Sequence, residues 1–204
     1  LYRNNLSSVC LVDYFERHGI PYRVRQNKVH FMQHWMVQDI LAFFRFALDP
    51  YDRESFQRIC YRMNRYISKT MVQQALMNER LEVLDAISAS PDLNPFQQKK
   101  MLELKHEWKR FARMPPDKAL AYVENEFMYF SGIKSLCDKT GQSFDRVYAM
   151  FGILKTLAEG IGTIPQFLEH LARLEKLLES PSPTHSQDDD FHVTLTTLHS
   201  GKGL

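Results

Sequence analysis

The sequence predicts a mainly α protein in which one long all-helical body is inserted into a small α/β unit formed by the two chain ends. Three observations carry this. Apolar residues recur at three- and four-residue spacing through most of the chain, strand-like segments are confined to the ends, and Pro, Asn, Gly and Ser stand where helices of ordinary length would start and stop. With 204 residues, 44% of them hydrophobic and 25% charged, the chain can bury a sizeable core.

Taken in order, Leu1 to Arg3 and Tyr22 to Val24 read as strands, with Val29 to Phe31 a further candidate. Val37, Ile40, Leu41, Phe44 and Leu48 then form a helical stripe that Asp49-Pro50 interrupts, and Phe56, Ile59, Cys60 and Met63 resume it, so two helices meet at a tight loop. Further amphipathic stretches cover residues 71–77, 82–87, 95–114, 116–137, 144–158 and 164–178. Asn94-Pro95 and Pro115-Pro116-Asp117 are start or break signals, Gly141 follows Thr140 where a helix should end, and Ser143 can cap the next. Residues 179–190, rich in Pro, Ser and Asp and without periodicity, read as a flexible linker, after which Val193 to Leu198 forms the closing strand.

Composition excludes several classes. The net charge of +2 and a pI near 8.4 give no global basic field, so contacts to nucleic acid must come from local patches. Cys10, Cys60 and Cys137 are odd in number, far apart and without a C-x-x-C pair, as expected of reduced packing thiols in a cytosolic compartment. No basic, apolar leader opens the chain, and the apolar run from Ile40 to Leu48 is broken by Arg45, so neither a signal peptide nor a membrane span is expected. The missing initiator Met suggests an excised segment. The triplet Asp188 to Asp190 reads as a solvated acidic loop, because consecutive residues wrap an ion poorly. His30 and His34 have i, i+4 spacing but no third ligand, and read as surface or groove residues; no metal site is expected. Gly201-Lys202-Gly203 lacks the upstream Gly and the trailing Ser or Thr of a phosphate-binding loop.

The two ends carry a resemblance. Val193 to Leu204, VTLTTLHSGKGL, resembles motif V of superfamily 1 helicases of the UvrD/Rep/PcrA type, with Thr197, His199, Lys202, Gly203 and Leu204 matching T-x-H-x-x-K-G-L. Residues 1–22 resemble the opening of the second motor domain, where a strand ending in Tyr-Arg-x-Asn leads into a helix and then Ile-Pro-Tyr. Between them Phe31, Val37, Asp39, Ile40, Leu41, Ala42 and Arg45 keep the spacing of the family's F-x(5)-V-x-D-I-L-A-x-x-R segment.

The resemblance implies a domain plan: residues 1–30 as the start of a RecA-like motor domain, 2A; 31–180 as the helical 2B accessory domain; 181–192 as a linker; and 193–204 as the return to 2A, stopping within motif V. It implies that Leu1 to Arg3 and Val193 to Leu198 are neighbouring strands. Arg3, Asn5, Thr197, His199 and Lys202 would contact single-stranded DNA, residue types suited to phosphate, sugar and base. Arg58, Arg62, Arg65 and Lys69 would contact duplex, either along one helix face or clustered at a turn. The family's Arg-Gly-Ile-Gly turn appears as Arg65-Tyr66-Ile67-Ser68, both glycines lost and with them the Cβ-free positions that favour close backbone approach to phosphates. Gly160-Ile161-Gly162 reads as a C-cap followed by an N-cap at Thr163. Val9 and Val12 stand where the family often has Arg and Glu.

The implied activity is that of an ATP-dependent DNA helicase moving 3′ to 5′ on single strands in repair or replication, a cytoplasmic and DNA-associated bacterial protein with no membrane partner. ATP and Mg²⁺ are implied for the longer protein, and neither a cofactor nor a catalytic residue for this segment. The competing reading is a helicase-like protein whose helical domain is mainly a platform for repair or replication proteins. Since no phosphate-binding loop is present, the 204-residue chain alone is expected to hydrolyse no ATP in a steady-state assay with single-stranded DNA; turnover that copurifies with the chain would contradict this.

Overall fold

The computed structural model describes residues 5–24, 30–63, 67–91, 93–179 and 193–196. Helices dominate. α1 (Asn5–His18) precedes strand β1 (Tyr22–Val24), and then α2 (Trp35–Leu48), α3 (Arg53–Ile59), α4 (Lys69–Met77), α5 (Val83–Ser88), α6 (Pro95–Phe111), α7 (Pro116–Asn125), α8 (Ile133–Thr140), α9 (Phe144–Ala158) and α10 (Ile164–Glu179) lead to strand β2 (Val193–Leu195).

Most boundaries follow from local chemistry. Asn94 and Gln97 form a reciprocal capping box at the start of α6, with Pro95 in the first turn where its missing N–H costs nothing. Gly141 takes the left-handed conformation at φ +68° after α8, and the Ser143 hydroxyl accepts the Arg146 N–H at the start of α9. Gly160, at φ +76°, ends α9, and Thr163 Oγ1 accepts the Gln166 N–H to open α10, so the Gly160-Ile161-Gly162 segment is cap chemistry. In α1, Arg17 donates to the Leu157 and Glu159 carbonyl oxygens at 2.6 and 2.7 Å, satisfying the carbonyls that α9 leaves open at its end. Asp13 pairs with His170 and Arg17, and Glu16 with Arg173, so a polar seam fixes α1 beside α9 and α10.

The core is organised around α2. Its sequence stripe suggests one buried face, yet Phe43 and Phe46 are also fully enclosed while Leu48 is 42% exposed. A helix apolar on nearly all sides belongs in the interior, and α3, α6, α7, α9 and α10 surround it. Phe43 stacks on Phe127 at 5.3 Å, Phe46 meets Trp108 edge-on at 4.8 Å and Phe56 at 5.0 Å, and Phe44 meets Phe167 edge-on at 5.9 Å. Val9 and Val12, where the family often has Arg and Glu, are fully buried and belong to the same core.

Two expectations need correction. Residues 116–137 form no single helix: α7 stops at Asn125, Met128 adopts a left-handed conformation at φ +53°, and a 3₁₀ turn at Tyr129–Ser131 precedes α8. The periodicity survived because Phe127, Tyr129 and Ile133 are all buried across the break. The proposed strand at Val29 to Phe31 is not formed at His30 and Phe31, which enter a turn leading into α2, and Val29 is outside the described residues. Strand β2 pairs in parallel with β1, in the register Tyr22↔Val193, Arg23↔Thr194 and Val24↔Leu195, and it stops before Thr196, short of the expected Leu198. The strand described beside Val193–Leu195 is thus the second of the opening strands; Leu1 to Arg3 and most of the 179–190 stretch lie outside the described residues.

Phe127 touches Phe43, Trp108, Phe111 and Tyr122. Phe127→Ala is therefore expected to destabilise the chain by about 3–5 kcal/mol, read as a lowered urea midpoint with unchanged slope. A loss below about 1 kcal/mol would mean that α2 and α7 do not share this core.

Candidate nucleic-acid interface

Among the residues expected to contact DNA, the structure describes only part. Arg3, Thr197, His199, Lys202 and Arg65 lie outside the described residues; Asn5 is the first residue of α1, with its side chain likewise outside them. Arg58, Arg62 and Lys69 are described, and they do not share one helix face. α3 ends at Ile59, so Arg58 lies in its last turn, Arg62 in the turn that follows, and Lys69 opens α4 as an exposed residue. Ser68 caps α4, its hydroxyl accepting the Met71 N–H at 3.2 Å with φ −85°, a conformation open to any residue. The residue in the second glycine's place therefore serves as a helix cap.

What gathers Arg58 and Arg62 is a buried carboxylate. Asp39, on α2, is 2% exposed. Its Oδ1 accepts from Arg58 Nε at 2.7 Å, and its Oδ2 from Arg62 Nε at 3.1 Å and from the Tyr129 hydroxyl at 2.9 Å. A buried charge is tolerated when it is paired and its lone pairs are used, and here three donors from three segments do so. Burial and the adjacent Asp39 charge push the Tyr129 hydroxyl far above its ordinary range, keeping it a donor.

Beside this anchor lies an aromatic and basic surface. Arg58 Nη2 donates to the Trp35 carbonyl oxygen at 3.0 Å, and the Arg62 guanidinium stands 5.6 Å from the Trp35 ring centroid. Trp35 Nε1 donates to Gln142 Oε1 at 2.8 Å, joining the start of α2 to the loop before α9. His34 caps α2 through Nδ1, which accepts the Met36 N–H, and its ring lies 5.4 Å from that of Trp35. Burial first, then the positive charge of Arg146, lowers the His34 pKa from its ordinary 6.5, with Asp39 opposing. Sequence reasoning placed Asp39 in a family segment without a partner, since its meeting with Arg58 and Arg62, 19 and 23 positions on, depends on how α2 and α3 pack, and left Trp35, Gln142 and Arg146 unnoticed, since the Trp35–Gln142 contact spans 107 positions.

Elsewhere the cysteines are free thiols, Cys60 and Cys137 buried and Cys10 half-buried. Burial lifts the Cys60 pKa to about 11, so it is an unreactive packing residue. Among the described residues no cluster of His, Cys, Asp and Glu could hold a metal, and no helix is long and apolar enough to cross a membrane.

Two outcomes follow from the anchor. Asp39→Ala should cost about 3 kcal/mol, the low end for a broken buried pair because both guanidinium groups can turn to water; Tyr129→Phe should cost about 1–2 kcal/mol. Chemical denaturation measures both, and an Asp39→Ala chain as stable as the parent would show that the carboxylate anchors nothing. Because the folded state disfavours protonated His34, its contribution is present above pH 6.5 and is lost as pH falls through the lowered value. His34→Gln should flatten stability against pH in that window, and an unchanged profile would contradict this.

Comparison with known proteins agrees with the fold. The family model described as the UvrD-like helicase C-terminal domain matches residues 1–204. A Bacillus subtilis (strain 168) protein named "Putative ATP-dependent DNA helicase YjcD" is 24% identical over 205 residues, an overlap that takes in 100% of this chain and 26% of that protein. The chain thus spans about a quarter of the length of the curated relative it matches. A family model that accounts for the whole of a mainly helical chain, from α1 to the closing strand, settles its relationship: the chain belongs to the UvrD-like helicase C-terminal domain family.

Proposed function

We propose that this chain is the segment of an ATP-dependent DNA helicase that carries the start of motor domain 2A, the helical 2B domain and the return to 2A at motif V. The longer protein would travel 3′ to 5′ along single-stranded DNA and unwind duplex in repair or replication. The observation that carries this is the parallel pairing of β1 with β2 from opposite ends of the chain. Parallel neighbours need a crossover connection; here the crossover contains the whole of α2 to α10, as an inserted domain requires. The family match over residues 1–204 supports the same arrangement.

In this reading Arg3, Asn5, Thr197, His199 and Lys202 line the single-strand track near the paired strands. Arg and Lys neutralise phosphate, Asn and Thr donate to phosphate or sugar, and His can bond to or stack on a nucleotide. The helical domain would touch the duplex through the Arg58 to Lys69 region. ATP and Mg²⁺ would be held elsewhere in the longer protein, since this sequence has no phosphate-binding loop. A second reading, in which the helical domain mainly docks other proteins, draws on one observation: Ser68 stands in the second glycine's place of the family turn and is used as a cap.

The test uses the longer helicase. Single replacements Thr197→Ala, His199→Ala and Lys202→Ala should each cut single-strand-stimulated ATPase by about tenfold, the equivalent of one charge-assisted contact of roughly 1.5 kcal/mol. Stimulation that stays at the parent level in all three would remove these residues from the track.

A further inference from the structure

Arg58 and Arg62 flank Trp35, and the Trp35 Nε1–H bond to Gln142 brings the start of α9, with Arg146 in its first turn, to the same end of α2. Arg58 and Arg62 are held there by Asp39 through their Nε atoms, and Arg146, exposed in the first turn of α9, reaches His34 electrostatically. The Arg62 side chain is still 31% exposed, and a guanidinium has five donors in a fixed fork, so the bond to Asp39 orients donors beyond the one it uses. Since His34 Nδ1 accepts a backbone N–H, the neutral ring carries its proton on Nε2 and is a further donor. Of the nearby carboxylates, Glu175 on α10 accepts from the Gln33 side chain at 2.7 Å. Asp39 is buried and already accepts three bonds, and Asp145, adjacent to Arg146 on α9, diverges from it because neighbouring helix positions do not face one side.

We propose that Arg62, Arg146 and the Nε2–H of His34, gathered around Trp35, form a site for a backbone phosphodiester of DNA. The inference rests on the helicase reading and deepens it by moving the duplex-facing surface from the α3–α4 turn alone to the junction of α2, α3 and α9. Planar forks suit tetrahedral phosphate oxygens, and the indole beside them offers a face to an adjoining sugar or base. Arg58 acts as a positioning residue: its Nε and Nη2 are committed to Asp39 and the Trp35 carbonyl, which fixes the ring and, through Asp39, Arg62.

The experiment titrates the 204-residue chain against a fluorescently labelled duplex with a 3′ single-strand tail at several salt concentrations. Arg146 has an exposed side chain and no core role, so Arg146→Ala should leave the fold intact. It should weaken binding several-fold, equally for unrelated DNA sequences, and reduce the magnitude of the log–log salt slope by about one. Lys118→Ala, which removes an exposed cation on α7, should change neither. An unchanged slope for Arg146→Ala, or an equal loss for Lys118→Ala, would overturn the site. Binding of polyglutamate but not DNA in an Arg146-dependent way would also overturn it and assign the surface to an acidic protein segment. If the longer helicase keeps ATPase that depends on His199 while the Arg146 result is negative, only this site falls; if both fail, the helicase reading falls with it.

Discussion

The Asp39 carboxylate is the constraint on which the functional face depends. It is buried on the central helix, and an unpaired charge there would cost far more than the chain's marginal stability allows. Satisfying it draws in Arg58 from α3, Arg62 from the turn beyond and Tyr129 from the 3₁₀ turn after α7. Those requirements fix the path of three segments at once. Because Asp39 takes only the Nε atoms of the two arginines, a buried structural ion pair and a partly exposed cationic surface share the same residues.

The rest of the architecture follows from filling the space around α2. Aromatic rings supply large buried area at low entropy cost, and the cluster of Phe43, Phe46, Trp108, Phe111 and Phe127 ties α2 to α6 and the end of α7. A seam of Asp13, Glu16, Arg17, His170 and Arg173 holds α1 against α9 and α10. Helix α1 is therefore joined to the helical body through both apolar packing and ion pairs, and Tyr22 and Leu195 of the described strands share its core.

Much of this was legible in the sequence, and the reason is local. Helix ends written in caps, such as Asn94 with Gln97, Ser143, Thr163 and Gly141, are decided by neighbouring residues and appear where the pattern puts them. The strand read at Tyr22 to Val24 is present, and the one read at Val193 to Leu198 is present over Val193–Leu195 but not at Thr196. The break after α7 was hidden because buried residues continue at nearly helical spacing through Phe127, Tyr129 and Ile133 while the backbone turns at Met128. The candidate site divided in the same way. Arg58 and Arg62 could be read as cations, but their anchoring on Asp39 depends on a fold-dependent meeting of α2 and α3. The places of Trp35 and Arg146 in the patch were illegible for the same reason.

The two tryptophans offer the most direct test of the claim that the Asp39-anchored surface faces nucleic acid. Trp35 lies at the proposed site and Trp108 in the core, 5% exposed. Their two indole N–H signals can be followed in a ¹H–¹⁵N spectrum of the chain as tailed duplex is added. The account predicts a saturable shift of the Trp35 signal with Trp108 unmoved. A Trp35 signal that stays in place while DNA binds, or equal movement of both indoles, would contradict it.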